Sequence, residues 1–292
     1  MVNAGLERTY PFQSHTMDLG AGVVMHYLDE GPRVQHILLM LHGNPTWSYF
    51  YRGLIAGLSD TWRCVAPDHV GCGLSSKPAQ YPYRLEQHIE NLVRLVDHLG
   101  VKKVSLILHD WGGAIGMGLA TRRPELVERL VVMNTAAFWS ARIPWRIRLC
   151  RLPWLGALLV RGCNAFAAGA LSMAMGGERL KGEVAGSYIL PYDSWDNRVA
   201  VHEFVRDIPV HAGHVSYGVL RGIEAALPHF KDHPVLLLWG MRDFCFNAEF
   251  LERWRREFPA ARMVRYEHAG HYLLEEAGGE ILGEVRAFLG GT

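Results

Sequence analysis

Surplus charge is the first thing this sequence lacks. Its 292 residues carry 30 Lys and Arg against 29 Asp and Glu, a formal charge of +1. Nucleic-acid binders hold a clustered basic excess that displaces counterions, so the balance excludes nucleic acid as a partner. Cysteine is sparse and scattered: Cys64, Cys72, Cys150, Cys163 and Cys245 include no C-x-x-C pair. That spacing offers neither a disulfide framework nor a thiolate metal site, and reduced, buried thiols are expected. The first ten residues have no basic start and no apolar block of the secretory kind, which makes a cytoplasmic location the expectation. No G-x-S-x-G occurs, and His214-Val215-Ser216-Tyr217-Gly218 lacks its first glycine. His211 and His214 have H-x-x-H spacing but no evident third ligand, so no metal and no other cofactor are expected.

One long hydrophobic run stands out. From Leu155 to Gly177 the only charge is Arg161, a length that approaches a bilayer span. A central Arg costs about 2.5 to 3.5 kcal/mol on insertion scales. Asn164, Ser172 and several glycines also interrupt the run. It reads as a helix pair, buried or facing a partner, rather than a membrane span. A peripheral membrane or subunit contact through this segment is the expectation it leaves.

Elsewhere, apolar runs of strand length alternate with helical patterns. Ile37–Leu41, Arg63–Pro67, Val104–Leu108, Leu130–Met133 and Val235–Trp239 are predominantly apolar stretches, each followed by polar or glycine residues. Such runs suit strands buried on both faces of a parallel sheet. Leu85–Leu99 and Ala114–Arg122 have helical spacing between them. From about Phe138 to Val215 the rhythm stops in favour of helical patterns, then resumes with a helix near Ala248–Phe258, a strand at Met263–Tyr266 and a helix near Glu280–Leu289. The prediction is a mostly parallel, doubly wound α/β sheet with an inserted helical cap. The core spans residues 1–136 and 216–292, and the cap spans 137–215.

Ligands of such sheets sit at the carboxyl ends of the strands, where Asn44, Asp68, Asp110, Asp243 and His271 fall. The sharpest signal is His109-Asp110-Trp111-Gly112-Gly113, at a strand end and a helix start. Small residues after Asp110 permit the tight turn of a nucleophile elbow, with Asp in place of Ser. A carboxylate is already anionic and can displace a leaving group from an sp3 carbon, leaving an ester on Asp110. Opening that ester with water needs a general base, normally a His oriented by a second carboxylate. His271 follows the last apolar strand and Asp243 the preceding one, in the order nucleophile, acid, histidine. A second place for the acid, after the strand ending at Met133, is filled by Asn134-Thr135. The alternative for Asp110 is a helix cap. Asn44 and Trp111 carry N–H donors that would stabilise a leaving anion beside Asp110, against an Asx turn before Pro45 and plain packing as their alternatives.

These residues resemble a known family. His42-Gly43-Asn44-Pro45-Thr46-Trp47-Ser48-Tyr49, Asp68-His69-Val70-Gly71-Cys72-Gly73-Leu74-Ser75, His109-Asp110-Trp111-Gly112-Gly113 and Gly270-His271-Tyr272 look like the haloalkane dehalogenase branch of the α/β-hydrolase superfamily. Asn44 together with an acid at Asp243 is similar to its third subfamily. The resemblance runs from about Met25 to Leu289. It implies Asp110 as nucleophile, His271 as base, Asp243 as acid, and Asn44 with Trp111 as the anion-stabilising pair.

In the cap, Asn134–Phe138, Asn164-Ala165-Phe166, Pro191–Arg198 and Phe204–Pro209 resemble the β-lactone decarboxylases of bacterial long-chain olefin biosynthesis. That second resemblance implies decarboxylation of a cis-3,4-dialkyl β-lactone to a cis-olefin and carbon dioxide, and association with partner enzymes or self-association, for which Leu155–Val160 is the candidate contact. The alternatives are haloalkane hydrolysis through an Asp110 ester and, further off, an epoxide hydrolase. The latter needs acidic hydroxyls, for which Tyr188, Tyr192 and Tyr217 are the candidates. The apolar cap from Pro144 to Met175 leads us to expect a long-chain or otherwise apolar substrate. A non-catalytic binding module would lack one of Asp110, Asp243 and His271, and all three are present.

Overall fold

Strand runs too apolar to face water fold here into one central sheet. The computed structural model describes residues 4–290. Its strands are β1 (Ser14–Gly20), β2 (Val23–Glu30), β3 (His36–Leu41), β4 (Arg63–Pro67), β5 (Lys103–Asp110), β6 (Val127–Thr135), β7 (Val235–Gly240) and β8 (Arg262–Tyr266). The spatial order is β1-β2-β4-β3-β5-β6-β7-β8. β2 runs antiparallel to β1 and β4, and the neighbours from β4 to β8 are parallel.

Helices cover both faces. They are α1 (Ala4–Thr9), α2 (Arg52–Leu58), α3 (Leu85–His98), α4 (Trp111–Arg122), α5 (Trp145–Cys150), α6 (Leu155–Ala157), α7 (Ala165–Met173), α8 (Gly182–Ile189), α9 (Val199–Asp207), α10 (Tyr217–Ala226), α11 (Ala248–Glu257), α12 (Leu273–Glu276) and α13 (Gly278–Gly290). Alternation along β3 explains the two layers. Ile37, Leu39 and Leu41 pack with α3, α4, α10 and α11, through residues such as Ile89, Ile115, Ile223 and Trp254. Leu38 and Met40 pack with Ile55 of α2 and Ile281 and Val285 of α13 on the other face. Each such side chain contributes about 1.5 to 3 kcal/mol on burial, which fixes the register.

The hairpin β1–β2 has no counterpart in the sequence reading. β1 is an edge strand in which Met17 alone is buried, so it shows no apolar run. Its turn is visible in hindsight: Gly20, Ala21 and Gly22 all adopt positive φ.

Between Thr135 and Val235 no strand occurs among the described residues. The apolar stretch forms α6, continued by a π-type turn at Leu158–Gly162, and then α7 after a 71° bend. Among the described residues no single helix is long and apolar enough to cross a membrane, although this bent pair passes that test by length and composition together. The pair is half-buried: Val160, Ala167 and Leu171 face inward while Leu155, Leu158 and Met173 are exposed. The cysteines need a correction. All five are free, but only Cys64 and Cys72 are fully buried, and Cys163 is exposed because it sits in the bend between the two helical halves.

Candidate active site

Asp110 occupies the turn between β5 and α4 with φ 51° and ψ −126°, a conformation an L-residue adopts at a cost of about 1 to 3 kcal/mol. The glycines after it make room. A Cβ on Gly112 would lie 2.0 Å from the Leu41 carbonyl oxygen, and one on Gly113 would lie 1.9 Å from Thr135 Oγ1. The Asp110 side chain makes no capping hydrogen bond to α4, which removes the helix-cap alternative. Instead the backbone N–H of Asn44 donates to Asp110 Oδ1 at 2.8 Å, and the Thr135 hydroxyl donates to the Asp110 carbonyl.

Gly43 is the floor beneath this carboxylate, since a Cβ there would meet Asp110 Oδ1 at 1.9 Å and Cγ at 2.4 Å. Gly43→Ala is therefore expected to lower turnover by about 10²-fold or more by tilting Asp110 out of line, because small misplacements at the reacting atoms carry penalties of that size. Steady-state kinetics alongside a thermal melt check this; an active, unperturbed variant would show that Asp110 has slack.

His271 lies over Asp110, with Nε2 3.4 Å from Oδ2, and its Nδ1 is 2.7 Å from Asp243 Oδ2. Burial works against an imidazolium here, but Asp243 and Asp110 outweigh it and raise the His271 pKa to about 10. For Asp110 burial likewise opposes charge, and His271 overcomes it, holding the carboxyl below the usual carboxylate range. The pair of His271 and Asp110 thus favours the imidazolium facing the carboxylate. Asp243 is fully held: Oδ1 accepts from the Cys245 N–H at 2.7 Å, and Oδ2 accepts from Asn134 Nδ2 at 3.0 Å. Asn134 also receives the Gly240 N–H at 2.7 Å, so the residue at the second acid position serves as a brace for the first.

The histidine loop is supported from below and behind. His109 Nε2 donates to the His271 carbonyl at 2.9 Å, and its ring lies between those of Phe50 and His271. Burial pushes His109 down to about 3, so it stays neutral beside the charged His271. Glu276 accepts from the N–H groups of Gly176, Gly177 and Gly270, tying this loop to the segment after α7.

Asn44, Asp110 and Trp111 line an apolar cavity under the α5–α9 segment, and Asn44, Asp110 and His271 line a second one. One Asn44 Nδ2 hydrogen is engaged by the Val201 carbonyl at 3.0 Å, leaving the other free. Trp111 is half-buried, with its ring 5.3 Å from that of Phe204.

Comparison with known proteins agrees with this geometry. Residues 36–278 match the family model for the alpha/beta hydrolase fold. The chain belongs to the α/β-hydrolase fold family. It is 41% identical over 295 residues to the cis-3-alkyl-4-alkyloxetan-2-one decarboxylase of Xanthomonas campestris, covering 96% of this chain and 98% of that one. The protein of the same name in Shewanella oneidensis is 40% identical over 290 residues, covering 97% of this chain and 90% of that one. Haloalkane dehalogenase 2 of Mycobacterium tuberculosis is 34% identical over 273 residues, with 92% of each chain covered. Among solved structures, a haloalkane dehalogenase from Bradyrhizobium elkani superposes with a TM-score of 0.85 at 26% identity, over 96% of this chain and 100% of that one.

Within this α/β-hydrolase the sequence candidates separate cleanly. Asp110, His271, Asp243, Asn44 and Trp111 converge at the carboxyl ends of the strands. Asp68 does not join them: it is buried against His26 at 2.9 Å and accepts from the Ser48 and Leu74 N–H groups at 2.7 and 2.8 Å, a brace between loops. Tyr188, Tyr192 and Tyr217 line neither cavity at Asp110. Tyr188 donates to Glu275, and Tyr192 to the Thr46 carbonyl at 3.3 Å. Ser216 donates to Asp207 at 2.7 Å and lines neither cavity. No cluster of metal-ligating side chains occurs among the described residues. The supporting roles of Asn134, His109 and Glu276 escaped the sequence reading; for Asn134 the signal was its place at a strand end.

Proposed function

We propose that this enzyme converts a cis-3,4-dialkyl oxetan-2-one into a cis-olefin and carbon dioxide, with Asp110 as nucleophile, His271 and Asp243 as its charged partners, and Asn44 with Trp111 stabilising the released carboxylate. The observation that carries this reading is a pair of apolar cavities, the two arms of the site, that share Asp110 in their walls. Phe138, Trp139, Leu220 and Phe250 line one arm, and Cys150, Leu159, Met173 and Tyr272 line the other. Asn44, Asp110, Ile147, Phe166 and Cys245 line both. A four-membered lactone with alkyl chains on adjacent ring carbons places one chain in each arm and its ring at the carboxylate. A linear 1-haloalkane fills only one.

The chemistry balances without water. Asp110 attacks the alkyl-substituted ring carbon bonded to the ring oxygen, forming an ester bond as that C–O bond breaks and a carboxylate is released on the neighbouring carbon. Inversion at the attacked carbon sets the new ester antiperiplanar to that carboxylate. Loss of carbon dioxide then sends the C–C electron pair into the alkene and expels the Asp110 carboxylate, and the two chains finish on the same side. The names of the Xanthomonas and Shewanella relatives support this substrate.

Hydrolysis of haloalkanes is the second reading, favoured by an imidazole placed to activate water at an Asp110 ester. A direct assay separates them. The enzyme is incubated with a cis-dialkyl oxetanone and, separately, with 1-bromoalkanes, and alkene and halide are measured. Alkene without comparable halide is the expected result; halide alone reverses the order of the two readings.

A further inference from the structure

We infer that the outer face of the cap docks on an anionic lipid bilayer. Between Ser140 and Gly177 the chain carries Arg142, Arg146, Arg148, Arg151 and Arg161 and no acidic residue. Since the whole chain is nearly neutral, the remainder is net acidic and the basic charge is concentrated on this one segment. Arg146 and Arg148 are exposed and form no ion pair among the described residues.

Large apolar side chains stand among these cations. Trp154 is 89% exposed, Trp145 62%, Leu158 56% and Leu152 45%. Trp154 is held there by a backbone at φ 60° and ψ −55°, which a non-glycine residue adopts only under constraint. Arg142 and Arg161 pair with Glu249 and Asp196 from outside the segment. Exposed Trp145, Arg146, Arg148 and Leu149 on α5, followed by Leu152, Trp154 and Leu158, have no acid among them in the chain, which is the composition of an interfacial membrane anchor. The 71° bend between the two halves of the apolar stretch lets that stretch lie along a surface. A second copy of the chain would bring the same arginines face to face, and like charges oppose that pairing.

The face is continuous with the cavity. Helix α5 presents Trp145, Arg148 and Leu149 outward, while Ile147 lines both arms. The wall of a lipophilic site is therefore one short helix whose other side meets the bilayer in this arrangement. Substrate and product would exchange with lipid and cross little water.

Co-sedimentation of the full chain with vesicles tests this by binding alone, so its outcome is independent of the chemistry at Asp110. Vesicles of equimolar phosphatidylcholine and phosphatidylglycerol are expected to bind about tenfold or more tighter than pure phosphatidylcholine, since each Arg at an anionic surface adds about fivefold. Binding should weaken in about 0.5 M NaCl, where screening shortens electrostatic reach. Trp154→Ser and Arg148→Glu should each lower it about tenfold while leaving circular dichroism and Tm unchanged. No binding to the anionic vesicles overturns the inference. So does equal binding to neutral vesicles that Arg148→Glu leaves intact. A protein that ignores vesicles but forms an oligomer dispersed by Trp154→Ser also overturns it, and makes the face a protein contact.

Discussion

Asp110→Asn is expected to leave a folded protein that yields neither alkene from a cis-dialkyl oxetanone nor halide from a 1-bromoalkane, with turnover down by at least about 10⁴-fold. The substitution isolates charge from shape. Asn fits the same volume and keeps an oxygen to accept the Asn44 N–H. It cannot form the ester, because a neutral amide oxygen is a poor nucleophile. It also deprives His271 of one of its two carboxylates, so the His271 pKa, now raised to about 10, should fall. Gas chromatography of products, with a thermal melt as the folding control, checks the result. Residual activity within about tenfold of the parent would end covalent catalysis at Asp110 and show that its charge is dispensable as well.

Why the candidate site residues were legible in sequence has a physical basis. Asn44, Asp110 and Asp243 each follow a strand buried on both faces, and such strands must be apolar throughout, so their ends are marked sharply. Asp68 follows the same rule yet turns inward, because its carboxylate satisfies two backbone N–H groups and His26. Position after a strand identifies a place at the carboxyl edge of the sheet; it does not say which way the side chain points. β1 was invisible because it is an edge strand that buries only Met17, and β2, though internal, carries His26, Asp29 and Glu30 that break its apolar run. A supporting contact such as Glu276 on the Gly176 N–H joins residues 100 positions apart in the chain, and no local pattern marks it. The two arms of the site arise in the same way, from residues of the α5–α9 segment and the core that meet only when folded.

His271→Ala should separate the two chemistries on one protein. In the haloalkane reaction the Asp110 ester can leave only by hydrolysis, and His271 is the group placed to take the proton from water. Alkylation neutralises Asp110, which removes one of the charges that keep His271 protonated, so the imidazole becomes a base when water must be activated. Without it, turnover of a 1-bromoalkane should stop after one event per enzyme, and intact-mass spectrometry should show one alkyl adduct. In the lactone reaction no water enters: loss of carbon dioxide expels Asp110 by itself. The same variant should then still release several alkenes per enzyme, slowed about 10²- to 10³-fold by loss of the imidazolium and the positioning it provides. Removing His271 exposes Asp243 to the cost of an unpaired buried charge, about 3 to 5 kcal/mol, partly offset by the Asn134 and Cys245 donors that remain. His271→Gln fills that space with a neutral group and repeats the measurement if the alanine variant melts early. A bromoalkane adduct that clears at the parent rate would remove His271 as the base. An Asp110 ester from the lactone that accumulates to one per enzyme without alkene would show that decarboxylation also depends on it, and would overturn the water-free route.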